Sequence, residues 1–242
     1  MSEQVRKLKI QSKSDFVRYI DSFSKISDSF IIEVNESHLT TLAASPDNTL
    51  ILYGEHSCES SFRTNLNIPD SKKLTRVLDT VNAEEVVLTL NSNNIEYKGS
   101  NIKFKYHLFE DGFLTKPSLS IEKIKKFTFD ISFQLTKQTV QSITKGSSFA
   151  TETNKLYFYT EGDQLIAELT DKARHNTDCF SMSLGIVDFN LSPIAINFDN
   201  IRLLTILDST LDVNINTQYG VVVITSKNDK TELSYIISSL TQ

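Results

Sequence analysis

Cysteine, glycine and proline are scarce in these 242 residues, and tryptophan is absent. Two cysteines, Cys58 and Cys179, are too few for a disulfide framework and read as small hydrophobes of a reducing compartment. His38, His56, His107 and His175 lie far apart, and no Cys or His pair has zinc spacing; "HSC" at 56–58 is better explained as a turn or strand end. Seven glycines leave no phosphate-cradling loop, nucleophile elbow or dinucleotide fingerprint. "SIEK" at 120–123 has the Ser and Lys spacing of penicillin-binding enzymes without their companion motifs. No apolar run is long enough to span a bilayer, and "MSEQVRKLKIQSKSDF" lacks the apolar core of a signal peptide. These absences point to an intracellular, non-enzymatic protein with no cofactor, no metal and no membrane partner.

Charge is present but unevenly placed. The formal net charge is −5, and both halves are acidic: residues 1–122 carry 14 Lys and Arg against 17 Asp and Glu, residues 123–242 carry 11 against 13. An acidic body repels a phosphate backbone, so any nucleic-acid contact has to come from local clusters.

Most of the chain alternates with a period of two, as in "SFIIEVNESHLTTLAAS" (29–45), "NTLILYG" (48–54), "EEVVLTLNSNNIEYKG" (84–99), "NIKFKYHLF" (101–109), "NKLYFYTEGDQLIAELT" (154–170) and "YGVVVITS" (219–226). Rich in β-branched and aromatic residues and broken by Asn, Asp, Gly and Ser, these runs predict strands and hairpins. Four stretches switch to apolar residues three and four apart, near 14–24, 70–80, 136–145 and 199–208, with caps expected at Ser14, Asp70, Thr136 and Asp199. The fold class is therefore α+β, with four short helices among many strands.

The order repeats. "SDFVRYI" (14–20) aligns with "KQTVQSI" (137–143), "FIIEVNESHLTTLAA" (30–44) with "LYFYTEGDQLIAEL" (156–169), and "KKLTRVLDT" (72–80) with "IRLLTILDS" (201–209), 129 positions on. Three matches in one order indicate an internal duplication. The break falls in "EDGFLTKPSLSIEKIKKF" (110–127), whose Gly112, Pro117 and charges suit a connector.

The helices carry basic faces. On a helical projection Leu74, Val77 and Leu78 share one side, with Lys72, Lys73 and Arg76 opposite or flanking it. In the first helix Phe16, Val17, Tyr19, Ile20 and Phe23 leave Arg18 and Ser22 on the open side; in the third Val140 and Ile143 oppose Lys137, Gln141 and Lys145. The fourth offers Arg202 and Thr205, and Lys13 precedes the first. Such faces attract phosphate when they point the same way.

A duplicated β-rich domain with two short, basic-faced helices per copy on an acidic body resembles the DNA polymerase sliding clamps, the processivity factors of the two-domain type found in T-even-like tailed phages and in proliferating cell nuclear antigen. The stretches that carry the resemblance are 127–143 followed by 155–172 and 179–185, "NESHLTTLAAS" (35–45) and the terminal "LSYIISSLTQ". The resemblance implies a duplicated DNA clamp fold: an N-terminal clamp domain at 1–118, the end of an interdomain connector at 119–126 and a C-terminal clamp domain at 127–242. It implies a homotrimeric ring on double-stranded DNA, loaded by a clamp loader, that tethers the replicative DNA polymerase, in the host cytoplasm if phage-encoded.

The DNA-facing residues would be Lys13, Arg18, Lys72, Lys73, Arg76, Lys137, Gln141, Lys145 and Arg202. A partner-peptide pocket would involve His38, Leu39, Leu42, Tyr235, Ile236 and Ile237. The subunit interface would join Ile102, Phe104 and Tyr106 of one copy to Phe180, Met182 and Leu184 of the next. A monomeric processivity subunit of the same fold is the alternative, and a nuclease using Glu84 and Glu85 a weaker third.

Overall fold

The period-two runs are strands in the computed structural model of the chain, which describes residues 5–117, 126–174, 176–207 and 209–240. The expected connector at 119–126, with "SIEK", lies outside the described residues except for Lys126. The chain divides into two units, Met1–Leu119 with Lys227–Ser234, and Ser120–Ser226 with Tyr235–Gln242.

The first unit runs β1 (Arg6–Ile10), α1 (Lys13–Ser24), β2 (Phe30–Val34), β3 (His38–Ala44), β4 (Leu50–Ser57), β5 (Glu59–Ser60), β6 (Thr64–Ile68), α2 (Ser71–Asp79), β7 (Val86–Leu90), β8 (Asn94–Lys98) and β9 (Lys103–His107). The second runs β10 (Ile131–Leu135), α3 (Lys137–Gly146), β11 (Lys155–Glu161), β12 (Gln164–Leu169), β13 (Phe180–Ile186), β14 (Ile194–Asn197), α4 (Phe198–Leu203), β15 (Leu211–Asn216), β16 (Val221–Lys227) and β17 (Thr231–Ser238). By unit membership, Thr231–Ser234 of β17 count with the first unit and the rest with the second.

Sheet order exposes the duplication more sharply than the sequence does. In the first unit, strands lie in the orders β4-β3-β2-β6 and β1-β7-β8-β9; in the second, β13-β12-β11-β14 and β10-β15-β16-β17. Strand by strand these are the same path, with β4 the counterpart of β13 and β9 the counterpart of β17. The two-residue β5, beside β1, is an addition of the first unit.

Each helix buries one stripe and turns the rest outward, as amphipathic spacing requires. In α1, Phe16, Tyr19, Ile20 and Phe23 are buried. Gly54 of β4 lets that helix close on its sheet, since a Cβ there would come within 2.8–2.9 Å of Tyr19, Leu233 and Phe23. In α2 the buried set is Ser71, Leu74, Thr75 and Leu78, so Val77 sits at the boundary and Thr75 takes the inward place. Burying Leu74 and Leu78 stabilises the unit by about 1.5–3 kcal/mol each.

The caps partly differ from expectation. Asp70 and Thr136 cap α2 and α3, accepting from the Lys73 and Thr139 N–H groups. For α1 the cap is Ser12 and for α4 it is Asn197, whose side chains accept from the Asp15 and Asp199 N–H groups. Ser14 is already inside its helix, and its hydroxyl donates to Glu84. The expected helix at 199–208 ends early: after Leu203 it tightens into a 3₁₀ turn, Leu204–Ile206, a common way for a last turn to finish. No helix among the described residues is long and apolar enough to cross a membrane.

Candidate nucleic-acid interface

In the first unit the ends of α1 and α2 are bound to each other. The Lys13 ammonium donates to the Val81 carbonyl at 2.6 Å, just past the C-terminus of α2. Glu84 accepts from the Ser14 N–H at 2.8 Å and from the Ser12 and Ser14 hydroxyls, while its carbonyl accepts from the Lys13 N–H at 2.8 Å. At the other end the Ser71 N–H donates to the Asp28 carbonyl, and Lys72 pairs with the Asp28 carboxylate at 2.7 Å. The start of one helix thus meets the end of the other, placing cation and carboxylate where each complements the helix dipoles.

This geometry reassigns several residues. Lys13 is half-buried and its ammonium is occupied at the helix junction, so it is a tether between α1 and α2 rather than a free phosphate ligand. Ser22 is buried at 1% exposure, its hydroxyl donating to the Arg18 carbonyl four residues back. Glu84 holds the N-terminus of α1, and these hydroxyl and N–H donors lower its pKa below the usual carboxylate range. Glu85 pairs with Lys9 at 3.3 Å. The two acids therefore have structural partners, and among the described residues no group of three or more His, Cys, Asp or Glu is placed to hold a metal.

Lys72, Lys73 and Arg76 are exposed on the outer side of α2, and Arg18 on α1 is partly exposed, 3.7 Å from Asp15. Arg76 is steadied by its own helix, its Nε donating to the Lys72 carbonyl at 3.0 Å. Across α1 and α2 five basic residues stand against Asp15, Asp21 and Asp79. Asp21 has a raised pKa, first from burial and then from the neighbouring Asp79.

In the second unit Lys137, Gln141 and Lys145 are exposed at successive four-residue steps, one stripe along α3 opposite the buried Val140 and Ile143. Arg202 is differently employed. It pairs with Asp199 at 2.9 Å, reaches the Ser147 hydroxyl at 3.5 Å and lies 4.8 Å over the Phe198 ring. Its side chain thus bridges α3 and α4 while more than half of it, 54%, stays exposed.

The expected partner pocket divides by strand parity. In β3 the inward residues are Leu39, Thr41 and Ala43, so Leu39 is 0% exposed, whereas His38 and Leu42 lie on the outer face. Tyr235, Ile236 and Ile237 are core residues at 1%, 8% and 0% exposure. These four are thus removed from any surface pocket. Leu42 does line a cavity of about 300 Å³, with Phe30, Ile31, Pro46, Lys116 and Pro117 among its walls. Lys116 and Pro117 belong to the connector stretch expected beside this pocket, and Lys116 also pairs with Glu33, 83 positions away.

The expected interface strands are both outermost in their sheets: β9 in β5-β1-β7-β8-β9 and β13 in β13-β12-β11-β14. Ile102, Phe104, Phe180, Met182 and Leu184 are half-buried. Tyr106 is buried, its hydroxyl donating to the Asp70 carbonyl at 2.7 Å, so its ring belongs to its own core and only its backbone lies at the edge. Phe180 packs against Gly146 of α3, where a Cβ would come within 2.2 Å of its ring.

No protein-family model and no curated protein matches the sequence. Among solved structures the chain is similar to proliferating cell nuclear antigen of A. fulgidus, solved with the C-terminal region of FEN-1 bound: TM-score 0.79, 10% identity, 99% of each chain covered. It is similar to the Entamoeba histolytica protein of the same name, with TM-score 0.77 and 12% identity over 98% of this chain and 99% of that one. It is also similar to the DNA polymerase III beta subunit of Thermotoga maritima, with TM-score 0.69 and 11% identity over 98% of this chain and 65% of the other. The chain thus has the fold of these clamps, β-rich α+β, with two short helices on antiparallel sheets in each of two repeated units.

Proposed function

We propose that this protein is a DNA sliding clamp: a non-enzymatic ring of three copies that encircles duplex DNA, is loaded by a clamp loader and tethers a DNA polymerase for processive synthesis. The carrying observation is that, within a clamp fold matched along 99% of the chain, both units present exposed basic side chains on the outer faces of short helices, Lys72, Lys73 and Arg76 on α2 and Lys137 and Lys145 on α3. Arg18, Lys72, Lys73 and Arg76 from the first unit and Lys137, Gln141 and Lys145 from the second would meet phosphates, with Lys13 and Arg202 holding the helices that present them. Contacts to phosphate without base readout give salt-sensitive binding that permits sliding, and closure of the ring supplies the retention.

The clamp domains are taken as 1–118 and 127–242, joined through 119–126. The cavity at Leu42, bordered by Lys116 and Pro117, would receive the apolar tail of the polymerase or loader in the manner of a peptide seated in a preformed groove. Head-to-tail copies with rotational symmetry close a ring and leave no unpaired edge.

The test combines mass and topology. Light scattering at micromolar concentration should give about three times 27.4 kDa. Protein loaded on nicked circular DNA should survive a high-salt wash and fall off once the circle is cut. A monomer that binds linear DNA directly would instead favour a processivity subunit acting by charge alone, and a monomer that fails to stimulate its polymerase would overturn the reading.

A further inference from the structure

One sheet face of the first unit is basic although the chain is acidic. In β1-β7-β8-β9 alternate residues such as Leu8, Ile10, Val86, Leu88, Ile95 and Tyr106 are buried in the core. The residues between them point the other way, and register sets them side by side: Lys9, Val87, Lys98 and Lys103 in one row, Lys7, Thr89, Glu96 and Lys105 in the next. Five lysines thus stand with one glutamate on four strands, in a chain whose net charge is −5. Lys7, Lys98, Lys103 and Lys105 are exposed, while Lys9 is half-buried between Glu59 and Glu85, at 3.6 and 3.3 Å.

This face differs from an ordinary solvated surface in two ways. Edge strands often carry lysine, which discourages pairing with other chains, and that accounts for Lys103 and Lys105 on β9. Lys7, Lys9 and Lys98 instead stand on β1 and β8, which have neighbours on both sides. The duplicated hairpin supplies the second difference. β8-β9 and β16-β17 close with the same bond, Gly99 N–H to the Ile102 carbonyl at 2.8 Å and Asn228 N–H to the Thr231 carbonyl at 2.9 Å, so Lys98 corresponds to Lys227 and Lys103 to Glu232. Lys227 and Glu232 form an ion pair at 2.7 Å, whereas the first copy sets Lys98 directly opposite Lys103. Like charges so placed destabilise a hairpin, and an anion between them turns repulsion into attraction. Lys98 has Glu96 at 3.2 Å, but Lys7, Lys103 and Lys105 make no ion pair among the described residues.

The composition of the face selects the anion. Its cations are all lysine, point charges without the planar fork that grips a carboxylate in two places. Between them stand Val87, Thr89 and Glu96, which offer no apolar pocket to anchor a protein segment. No Phe or Tyr ring points to this side: Tyr97 and Phe104 stack on each other at 5.6 Å on the core side, so unpaired bases find nothing to stack on. What remains is a charged surface about 14 Å across, three strand spacings of about 4.8 Å, the axial length of about four base pairs.

We propose that this sheet face is a second contact surface for duplex nucleic acid, separate from the helix faces, meeting the phosphate backbone through Lys98, Lys103 and Lys105 with Lys7 extending the second row. It goes beyond the ring reading and does not depend on it, because the whole face lies within one unit of one copy. Only a few phosphates fit its width, so the contact is weak, salt-sensitive and blind to sequence. Such a surface holds a second stretch of DNA while the helices engage the first.

Lys98→Thr, Lys103→Thr and Lys105→Thr, combined in the full chain, keep β-forming side chains and remove the Lys98 and Lys103 repulsion, so the melting temperature should be unchanged or higher. On linear duplex the slope of log affinity against log salt should flatten by about 0.9 for each lysine that meets a phosphate, about 2–3 in all. Val87→Lys, which adds a cation at the exposed centre of the face, should steepen the slope by about 0.9. A photo-crosslinker on Lys105→Cys, in a Cys179→Ser background with Cys58 left buried, reads the location, and Ser132→Cys on the corresponding face of the second unit is the control. Duplex should be captured several-fold more from position 105. A slope moved by neither the threonine triple nor Val87→Lys, or equal capture from 105 and 132, overturns the proposal. So does a triple whose loss appears on single-stranded DNA or on poly-glutamate but not on duplex. A monomer by light scattering that still gives the expected slopes and capture removes the ring and leaves this surface standing.

Discussion

Lys13 and Lys73 both read as DNA-facing cations in the sequence, yet the structure gives them different surroundings, and substituting each by Met, which keeps an unbranched stem, separates them. Lys13→Met removes a hydrogen bond from a charged donor to the carbonyl of the buried Val81, at the negative end of α2. Hydrogen bonds involving charged groups contribute about 1.5–3 kcal/mol; halved for a half-exposed site, the expected loss is about 1 kcal/mol, or roughly 2–4 °C in a domain-sized melt. Lys73 is exposed and makes no ion pair among the described residues, so Lys73→Met should stay within about 0.5 kcal/mol of the parent.

On DNA the order reverses. Each lost phosphate contact lowers the slope of log affinity against log salt by about 0.9. Lys73→Met should flatten that slope by about this amount for every Lys73 engaged, whereas Lys13→Met should leave it unchanged once the protein is folded. Urea denaturation followed by circular dichroism, and fluorescence anisotropy on linear duplex between 50 and 200 mM salt, measure the two quantities on the same preparations. If both variants lose stability equally, or if Lys13→Met flattens the salt slope as much as Lys73→Met does, the assignment of tether and contact is wrong.

Three further outcomes follow from the geometry. Glu84→Ala should cost about 0.5–1 kcal/mol through the lost hydrogen bonds to Ser12 and Ser14 at the start of α1, whose cap Ser12 remains; because its folded pKa is lowered, the stabilisation is present above the unfolded carboxylate pKa and lost as pH falls through the folded one, which urea titrations at several pH values would resolve. Gly146→Ala gains helix propensity of about 1 kcal/mol but drives a methyl into the Phe180 ring, and overpacking typically costs about 1–3 kcal/mol; a lower melting temperature, restored by Phe180→Leu, is expected. Burial lowers the His56 pKa to about 4; the unfolded chain then binds the extra proton between about pH 6.5 and 4, so stability falls by on the order of 2–3 kcal/mol as pH drops through that window. That slope should vanish in His56→Leu.

The strands were legible because their signal is local: a period of two is written into neighbouring residues whatever they pack against. The helices, their buried stripes and the repeated order were legible for the same reason. Parity was not. Nothing within "HLTTLAA" tells whether Leu39 or Leu42 faces the core, since either phase of an alternating strand satisfies the pattern until the covering layer is known. Lys13 and Glu84 escaped because their partners lie some 70 positions away. Arg202 is a different case, because Asp199 stands three residues before it on the same helix, a spacing that predicts their pairing from sequence alone.

That pairing bears on why one nine-residue pattern occurs twice with unequal charge. Lys72, Lys73 and Arg76 of α2 correspond to Ile201, Arg202 and Thr205 in the second unit. Burial is conserved between Ser71 and Asn200, Thr75 and Leu204, and Leu78 and Leu207, while the buried Leu74 has a half-buried counterpart in Leu203. It is not conserved between Lys72 and Ile201, because α4 starts two residues earlier relative to the pattern than α2 and brings Ile201 into the core. The second copy therefore gives up one outward position to packing and a second to Thr205, while its remaining cation is engaged by Asp199, Ser147 and the Phe198 ring. In the second unit the weight of any phosphate contact then falls on Lys137, Gln141 and Lys145 of α3, and in the first on α2. Duplication kept most of the packing face of the helix and left the outer face free to diverge in charge.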